Sequence, residues 1–249
     1  MMLLDVHDQI VACTRCERLR TYCQRVAREK KAAHRNDTYW GRPVPGFGDP
    51  AARVLIVALA PAAHGANRTG RVFTGDGPGG SGDFLMRAMH AAGFANIPSS
   101  RHPQDGLQLR DAYIAAAVRC APPDNKPLPD EIAACHSHLV AEAAALPSVG
   151  VIVALGRIGF DAVWRLLAAQ GVSVKPKPTF GHGFVYHPPG GPAVIASYHP
   201  SRQNTNTGVL TPSMLASVFK TARKLAGRSE WPGRKRRASP RSRRLHPNR

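Results

Sequence analysis

The sequence predicts an α/β fold of three layers, in which helices cover both faces of a central, four-stranded, mostly parallel sheet. Four short apolar segments alternate with segments of helical periodicity along the chain. Each of the four strands is apolar at nearly every position, as expected when a parallel sheet is buried on both faces. A hydrophobic content of 43% in 249 residues is enough for one large core.

The first two strands are predicted at residues 53–59 and 113–118. Residues 53–59 form a β-branched run between two prolines, which is typical of a buried strand. Residues 81–92 are predicted to be helical because apolar side chains recur on one face. These side chains are Phe84, Leu85, Ala88 and Met89. A helix over 129–146 begins with a proline and two acids, which a first helical turn prefers.

The other two strands are predicted at residues 149–155 and 193–197, and a helix over 157–169 connects them. The pair Thr211 and Pro212 then opens the last helix, since threonine caps a helix and proline suits its first position. The apolar stripe of this helix consists of Met214, Leu215, Val218, Phe219 and Ala222.

Charge divides the chain into one domain over residues 1–226 and a basic tail over residues 227–249. Nine basic residues and one acid lie between positions 228 and 249, so the tail carries +8 of the total charge of +18. The tail also contains three prolines and few large apolar side chains. It cannot bury enough apolar surface to offset the entropy of ordering, and we expect it to be disordered.

The strongly basic balance, with an isoelectric point near 10.7, favours a polyanionic partner such as nucleic acid. A membrane is not expected as a partner, because no apolar run approaches the length of a span and no long basic amphipathic helix is present. The N-terminus lacks the basic and apolar regions of a signal peptide. Five cysteines, an odd number, suit a reducing, cytoplasmic compartment.

Four cysteines have the spacing of a metal site. Cys13 and Cys16 form a C-x2-C pair, and Cys120 and Cys135 lie on either side of a predicted strand-to-helix connection. Thiolates with this spacing bind zinc or an iron–sulfur cluster. The alternative is that they are buried free cysteines, which pack as small apolar side chains. Cys23 is either a bystander or a substitute for one of the four.

Polar segments follow three of the predicted strands, at residues 60–76, 119–126 and 198–204. In a parallel sheet, ligands bind beyond the carboxyl ends of the strands, so these segments are expected to line one edge. Taken singly, glycine- and asparagine-rich stretches are ordinary turn material. Their joint placement predicts a functional site.

Three motifs in these segments resemble those of uracil-DNA glycosylases, and most closely the B-type, family 5 enzymes. They are Ala58-Leu-Ala-Pro-Ala62, the run Gly65-Ala-Asn-Arg-Thr-Gly-Arg-Val-Phe-Thr-Gly-Asp76, and His199-Pro-Ser-Arg-Gln-Asn204. The resemblance covers residues from about 10 to 226. It implies the uracil-DNA glycosylase fold and a [4Fe–4S] cluster bound by Cys13, Cys16, Cys120 and Cys135, with zinc as the rival metal.

The resemblance also implies the catalytic residues. Relatives often carry an acidic or amide residue in the first motif, but residues 58–60 are apolar here, and Ala58 replaces the usual glycine. The carboxylate is then Asp76, which would stabilise the cationic sugar and orient a water molecule. His199 would donate a hydrogen bond to the departing base, as an oxyanion hole does.

Further site residues are assigned by the same resemblance. Phe73 is expected to stack on the base and Asn125 to read its pyrimidine edge, with Asp124 a weaker candidate. The complete base-binding set is Phe73, Asn125, Ala60 and Asn67. The expected DNA-binding residues are Ser201, Arg202, Asn204, Arg68 and Arg71.

The predicted protein is a monofunctional DNA glycosylase that flips uracil, and other deaminated bases such as hypoxanthine, out of DNA. It would hydrolyse the N-glycosyl bond, leave an abasic site and so start base-excision repair. We expect a monomer in the cytoplasm, associated with the nucleoid. The alternative is a non-catalytic nucleic-acid-binding protein held together by a metal, which needs neither Asp76 nor His199.

Overall fold

A computed structural model describes residues 2–176 and 178–227, which contain a six-stranded sheet. The strands are β1 (Phe47–Gly48), β2 (Val54–Ala58), β3 (Ala112–Ala116), β4 (Val151–Leu155), β5 (Val185–Tyr186) and β6 (Ala193–Ser197). Their order across the sheet is β1-β3-β2-β4-β6-β5.

The four central strands, β3, β2, β4 and β6, are parallel, which confirms the predicted α/β class and the four predicted strands. Val54 of β2 is in register with Ala112 of β3 and with Val151 of β4. The two outer strands, β1 and β5, are antiparallel and were not predicted. Each is only two residues long, too short to produce a periodic pattern.

Eight α-helices surround the sheet within the described residues. They are α1 (Leu3–Val11), α2 (Glu17–Glu29), α3 (Ala66–Thr69), α4 (Ser81–Ala91), α5 (Pro129–Ala144), α6 (Gly156–Ala169), α7 (Arg202–Asn206) and α8 (Pro212–Ala226). The predicted helices correspond to α4, α5, α6 and α8. Helices α1, α2, α3 and α7 were not predicted. Two of these, α3 and α7, have four and five residues and lie inside the segments that were interpreted as loops.

The strands divide the core into two layers because alternate side chains point to opposite faces. Val54 and Ile56 face the cluster that contains Leu85 of α4 and Phe219 of α8. Leu55 and Val57 face the other cluster, which contains residues of α5 and α6. All five residues of β2 are buried. The result is the predicted three-layer α/β/α arrangement.

A buried ion pair joins the segment after β3 to α5. Arg119 Nη2 donates to Glu142 Oε2 at 2.5 Å, and both side chains are almost completely buried. The other oxygen, Glu142 Oε1, accepts from the Gly46 amide at 2.8 Å and from the Tyr113 hydroxyl at 2.9 Å. His7 of α1 lies 2.6 Å from the same hydroxyl. This network fixes the N-terminal helix against the sheet.

The basic tail predicted over residues 227–249 lies outside the described residues from position 228 onward. Within residues 2–176 and 178–227, none of the helices has the length and apolar character that a membrane span requires.

Replacing Glu142 by glutamine is expected to lower the free energy of unfolding by about 3 kcal/mol or more, because it leaves the Arg119 charge buried and unpaired. Denaturant unfolding followed by circular dichroism measures the change. Arg157→Ala is the control, since the Arg157 side chain is exposed and its pair with Asp161 is long, at 3.4 Å. This change should cost less than about 0.5 kcal/mol. A loss below about 1 kcal/mol for Glu142→Gln would contradict this role of the pair.

Candidate active site

A cavity of about 1180 Å³ opens at the carboxyl edge of the parallel strands. Ala58 and Leu155, which end β2 and β4, form part of its floor. Residues from all three of the polar segments line it, which confirms that they meet at one edge of the sheet. The lining residues from these segments that matter below are Ala60, Phe73, Asp76, Asn125, His199, Ser201 and Arg202.

Asp76 lies on a glycine-rich loop at the wall of this cavity. Gly75 and Gly77 on either side have positive φ angles of 90° and 78°, which favour glycine. Arg68 Nη2 donates to the Gly75 carbonyl at 2.7 Å, and Arg202 Nη2 donates to the Asp76 carbonyl at 2.6 Å. Two guanidinium groups therefore fix the backbone on which the carboxylate is carried.

The carboxylate itself packs against Gly65. A Cβ atom at position 65 would collide with Asp76 Oδ1, so only glycine permits this approach. Burial raises the pKa of Asp76, and the charges of Arg202 and Arg68, together with a hydrogen bond from the Gly82 amide, oppose the rise. The group is a half-buried carboxylate with cations nearby, a setting that is typical of catalytic acids and bases.

His199 follows β6 and faces the same cavity. Burial lowers its pKa to about 4, so the imidazole is neutral at physiological pH. Its ring stacks on Phe73 with centroids 5.8 Å apart and an interplanar angle of 26°. Asn204 Nδ2 donates to the His199 carbonyl at 2.9 Å, and Gly156 leaves room beside the His199 Cβ.

Three non-glycine residues of the cavity wall have left-handed backbone conformations. They are Phe73, Asp124 and Asn125, with φ angles of 51°, 53° and 57°. Such angles are uncommon, and for a bulky residue such as Phe73 they are a real outlier. Backbone strain of this kind concentrates at functional sites, where it aims a side chain that the fold would otherwise place elsewhere.

Ser201 and Arg202, two of the residues predicted to bind DNA, lie at the mouth of the cavity. The Ser201 hydroxyl caps α7 by accepting from the Asn204 amide at 3.3 Å. Arg202 is exposed beyond its contact with the Asp76 backbone. Asn204 is not part of the cavity lining, and its side-chain amide points to the His199 backbone.

The side chains of three other predicted site residues make their polar contacts within the protein. Asn67 is fully buried and donates to the Cys23 carbonyl at 3.3 Å, which joins α3 to α2. Arg71 is buried in an ion pair with Asp105 at 2.8 Å. Arg68 lines the cavity, but its guanidinium donates hydrogen bonds to the Asp37 carboxylate at 2.5 Å and to the His64 carbonyl at 2.8 Å.

The sequence prediction missed several cavity residues. Tyr22 comes from α2, and Lys31 and His34 come from the N-cap and the last residue of the 3₁₀ helix Ala32–His34. Neither helix was predicted. Further lining residues without an assigned role are His64, Arg101 and Arg157. His64 and Arg157 were the easier to find, since both follow predicted strands directly.

The four cysteines form one neighbourhood. Burial raises the pKa of Cys16, and the nearby Cys120 and Cys13 act in the same direction. Burial also raises the pKa of Cys135 to about 11, again with contributions from Cys120 and Cys16. The thiols therefore lie close enough to affect one another, although residues 13–16 and 120–135 are a hundred positions apart.

Cys23 is fully buried within this group. Its Sγ donates to the Ala121 carbonyl at 3.5 Å, and a hydrogen bond links it to Cys120. Within the part of the chain that the structure describes, no group of three or more His, Cys, Asp or Glu side chains has the arrangement of a metal site. Cys16, Cys120 and Cys135 nevertheless pack in one apolar cluster, and Cys13 lies near enough to raise the pKa of Cys16. Thiols are the ligand type that iron–sulfur clusters use.

Comparison with known proteins gives a consistent result. The family model "Uracil DNA glycosylase superfamily" matches residues 45–223. Three relatives named "Type-5 uracil-DNA glycosylase" are similar over most of the chain. The relative from Thermus thermophilus is 50% identical over 88% of this chain and 95% of its own. Those from Mycobacterium leprae and Pyrobaculum aerophilum are 48% and 44% identical, each over 90% of this chain and 95% and 93% of their own.

Proposed function

The chain belongs to the uracil-DNA glycosylase superfamily and is similar to its type-5 enzymes over most of its length, and we propose that Asp76 and His199 carry out its reaction. The protein is a hydrolase of N-glycosyl bonds that removes uracil from DNA in repair. The observation that supports the assignment is that both side chains line one cavity, the carboxylate with a raised pKa and the imidazole with a lowered one.

Asp76 acts on the sugar. As the bond between the base nitrogen and C1′ breaks, its electron pair leaves with the base, and the sugar acquires oxocarbenium character. The ionised carboxylate stabilises this positive charge and accepts a proton from a water molecule, whose oxygen forms the new bond to C1′. Its place in a partly buried cavity strengthens the interaction, because the local dielectric constant is lower than in water.

His199 acts on the base. With a pKa near 4 the imidazole is neutral, and one ring nitrogen carries a hydrogen that can be donated to a carbonyl oxygen of uracil. The leaving base develops negative charge on that oxygen, so the hydrogen bond becomes stronger in the transition state than in the ground state. The stacked Phe73 holds the ring in place.

Recognition of the flipped base falls to Phe73, Asn125 and Ala60, all in the cavity wall. The Asn125 amide has both a donor and an acceptor, which match the alternating edge of a pyrimidine. Its left-handed backbone conformation presents it toward the cavity. The remaining predicted contacts, Asn67, Arg68, Arg71 and Asn204, support the site from behind by holding loops in position.

DNA approaches a strongly basic surface. Ser201 and Arg202 lie where the backbone of the strand would pass, and the +8 tail adds salt-dependent attraction. Excision of other deaminated bases, a monomeric state and a cytoplasmic, nucleoid-associated location belong to this proposal. So does the division into a glycosylase domain over residues 1–226 and a tail over 227–249.

We further propose that Cys13, Cys16, Cys120 and Cys135 bind a [4Fe–4S] cluster, with zinc as the alternative. When bound, the metal supplies thiolate bonds that link the N-terminal segment to β3 and α5. Cys16 is the N-cap of α2, so these bonds would also fix the start of the helix that leads to Tyr22 and the cavity. Base excision itself does not require the cluster to change its redox state.

Substitution of Asp76 by asparagine is expected to slow uracil release at least about a hundredfold, and His199→Ala about 10²- to 10³-fold. Single-turnover release of uracil from a duplex measures both. Asp8→Asn and His90→Ala change exposed residues of the same types and should leave the rate near that of the wild type. Wild-type rates in both catalytic variants would refute the assignment and favour the non-catalytic alternative.

The rate of the same reaction should fall at acidic pH, and the midpoint of this fall should lie above the ordinary pKa of aspartate. The carboxylate must be ionised to act, and burial raises its pKa, so activity falls as pH decreases through that raised value. Because the Arg202 charge lowers the pKa of Asp76, Arg202→Ala is expected to move this midpoint to higher pH. If the midpoint of the fall is the same in Arg202→Ala as in the wild type at saturating enzyme, another group controls it.

The cluster is tested by colour and metal content. Freshly purified protein is expected to absorb near 400 nm and to contain about four iron atoms per chain. Serine at Cys13, Cys16, Cys120 or Cys135 should abolish the absorption, whereas the matched control Cys23→Ser should keep it. Colourless protein with stoichiometric zinc would contradict the iron–sulfur cluster and favour the alternative metal. Loss of the absorption in Cys23→Ser would contradict the ligand set.

A further inference from the structure

The cavity is larger than the proposed reaction requires. Its volume of about 1180 Å³ exceeds the range of about 300–1000 Å³ that is common for drug-sized ligands. A single flipped pyrimidine beside Asp76 and His199 fills only a fraction of this space. The remainder extends to a wall formed by Tyr22, Lys31 and His34, together with His64.

This second wall, which we call the cationic arm, consists of Lys31, His34 and His64. Lys31 and His34 come from the 3₁₀ turn that follows α2, and His64 comes from the loop after β2. The Tyr39 hydroxyl lies 3.0 Å from His64 Nδ1 and holds its ring. The arm is therefore built from two segments that are distant in sequence.

Arg68 connects the cationic arm to the catalytic wall. Its Nε donates to the His64 carbonyl at 2.8 Å, and its Nη2 donates to the Gly75 carbonyl at 2.7 Å, next to Asp76. The third nitrogen, Nη1, is paired with Asp37 at 2.5 Å. Each guanidinium nitrogen of Arg68 has a partner within the protein. Arg68 therefore sets the spacing of the two walls, and the residues of the cationic arm are the ones that can bind a ligand.

Positive charge is in excess around the arm. Asp37 contacts the arm, and its carboxylate interacts with Arg68 and, at 3.4 Å, with His34 Nδ1. Within the described residues, the whole cavity lining has five lysines and arginines but only two carboxylates, Asp76 and Asp124. Burial lowers the pKa of His64, and the charges of Lys31, His34 and Arg68 add to this effect, which reflects the positive potential at this wall.

We propose that the cationic arm binds a phosphate of the DNA backbone next to the flipped nucleotide. The inference rests on the proposed function, and it assigns the part of the cavity that the base leaves empty. Lysine and imidazole groups are common phosphate ligands, and such contacts set the register of the strand without reading its sequence. Lys31 is exposed and can reach a phosphate, and Asp37 beside His34 Nδ1 leaves Nε2 as the ring nitrogen for a ligand.

The arm also stands at the far end of the helix that the cysteines anchor. α2 begins after Cys16 and ends at Glu29, two residues before Lys31. Its middle is fixed by the hydrogen bond between Asn67 and the Cys23 carbonyl. A thiolate–metal bond at Cys16 would therefore help to keep the phosphate-binding residues in place.

The test compares Lys31→Gln with the matched control Lys30→Gln. Lys30 is adjacent in sequence and has the same charge, but it does not line the cavity, and its Nζ donates to the Arg35 carbonyl at 3.2 Å. Binding of a fluorescent, uracil-containing duplex is measured by anisotropy in the Asp76→Asn background over a range of salt concentrations. Lys31→Gln is expected to weaken binding about fivefold and to reduce the slope of log K against log salt by about 0.9. Lys30→Gln should leave both values close to those of the parent.

A second measurement identifies the ligand as a phosphate. Neutral methylphosphonate linkages are placed one at a time on each side of the uracil. At one position the neutral linkage should weaken binding to the protein that retains Lys31. The same linkage should not weaken binding further in Lys31→Gln. Equal losses in Lys30→Gln and Lys31→Gln, or methylphosphonate effects that add to the Lys31→Gln loss at every position, would overturn the proposal.

The outcome is separable from that of the proposed function. Uracil release by the wild type at saturating enzyme tests the reaction alone. In an otherwise wild-type background, Lys31→Gln should lower the apparent affinity and leave the saturated single-turnover rate within about twofold. A large drop in the saturated rate would instead place Lys31 in the chemistry and contradict a role in phosphate binding.

Discussion

The arrangement of the site depends on the Arg68 guanidinium, whose three nitrogens bond to three separate segments of the chain. It pairs with Asp37, donates to the His64 carbonyl and donates to the Gly75 carbonyl. Only the last of these bonds concerns the loop that carries Asp76. The bond to Asp37 ties that loop to the segment after α2, and the bond to the His64 carbonyl ties it to the loop after β2. A motif arginine that would be expected to contact DNA therefore acts as an internal spacer, because a planar group with fixed donor directions can hold two backbone carbonyls and a carboxylate at once.

Much of the fold follows from local patterns in the sequence. The central strands are continuous apolar runs, and four helices have clear stripes or caps, so both were predictable. The carboxyl-edge rule then brought Asp76, Asn125 and His199 to one cavity before any contact was known. The direction of individual side chains was not predictable. Asn67 and Arg71 lie in the same motif as Asp76, yet each turns inward to a partner, Cys23 and Asp105 respectively, that sequence spacing does not reveal.

The N-terminal segment was the least predictable part. Helix α2 is rich in charged residues, and its buried stripe is narrow, with Leu19, Cys23 and Val26 spaced four and three residues apart on one face. Its position depends on long-range contacts, such as that between Arg18 and Glu131 of α5 at 2.8 Å. The cysteines were the usable signal, since they predicted that residues 13–16 lie beside residues 120–135. The consequence for the cavity, a wall supplied by Tyr22 and Lys31, had no signal in the sequence.

The cavity therefore has two tasks. A partly buried carboxylate and a neutral imidazole act on the sugar and the base, and a cationic wall holds the strand. A crystal structure of the Asp76→Asn protein bound to a uracil-containing duplex tests this division most directly. It should contain uracil in the cavity, with a carbonyl oxygen within hydrogen-bond distance of His199 and C1′ facing residue 76. A base that remains stacked in the duplex, or one that occupies the cavity with His199 turned away from it, would contradict the account.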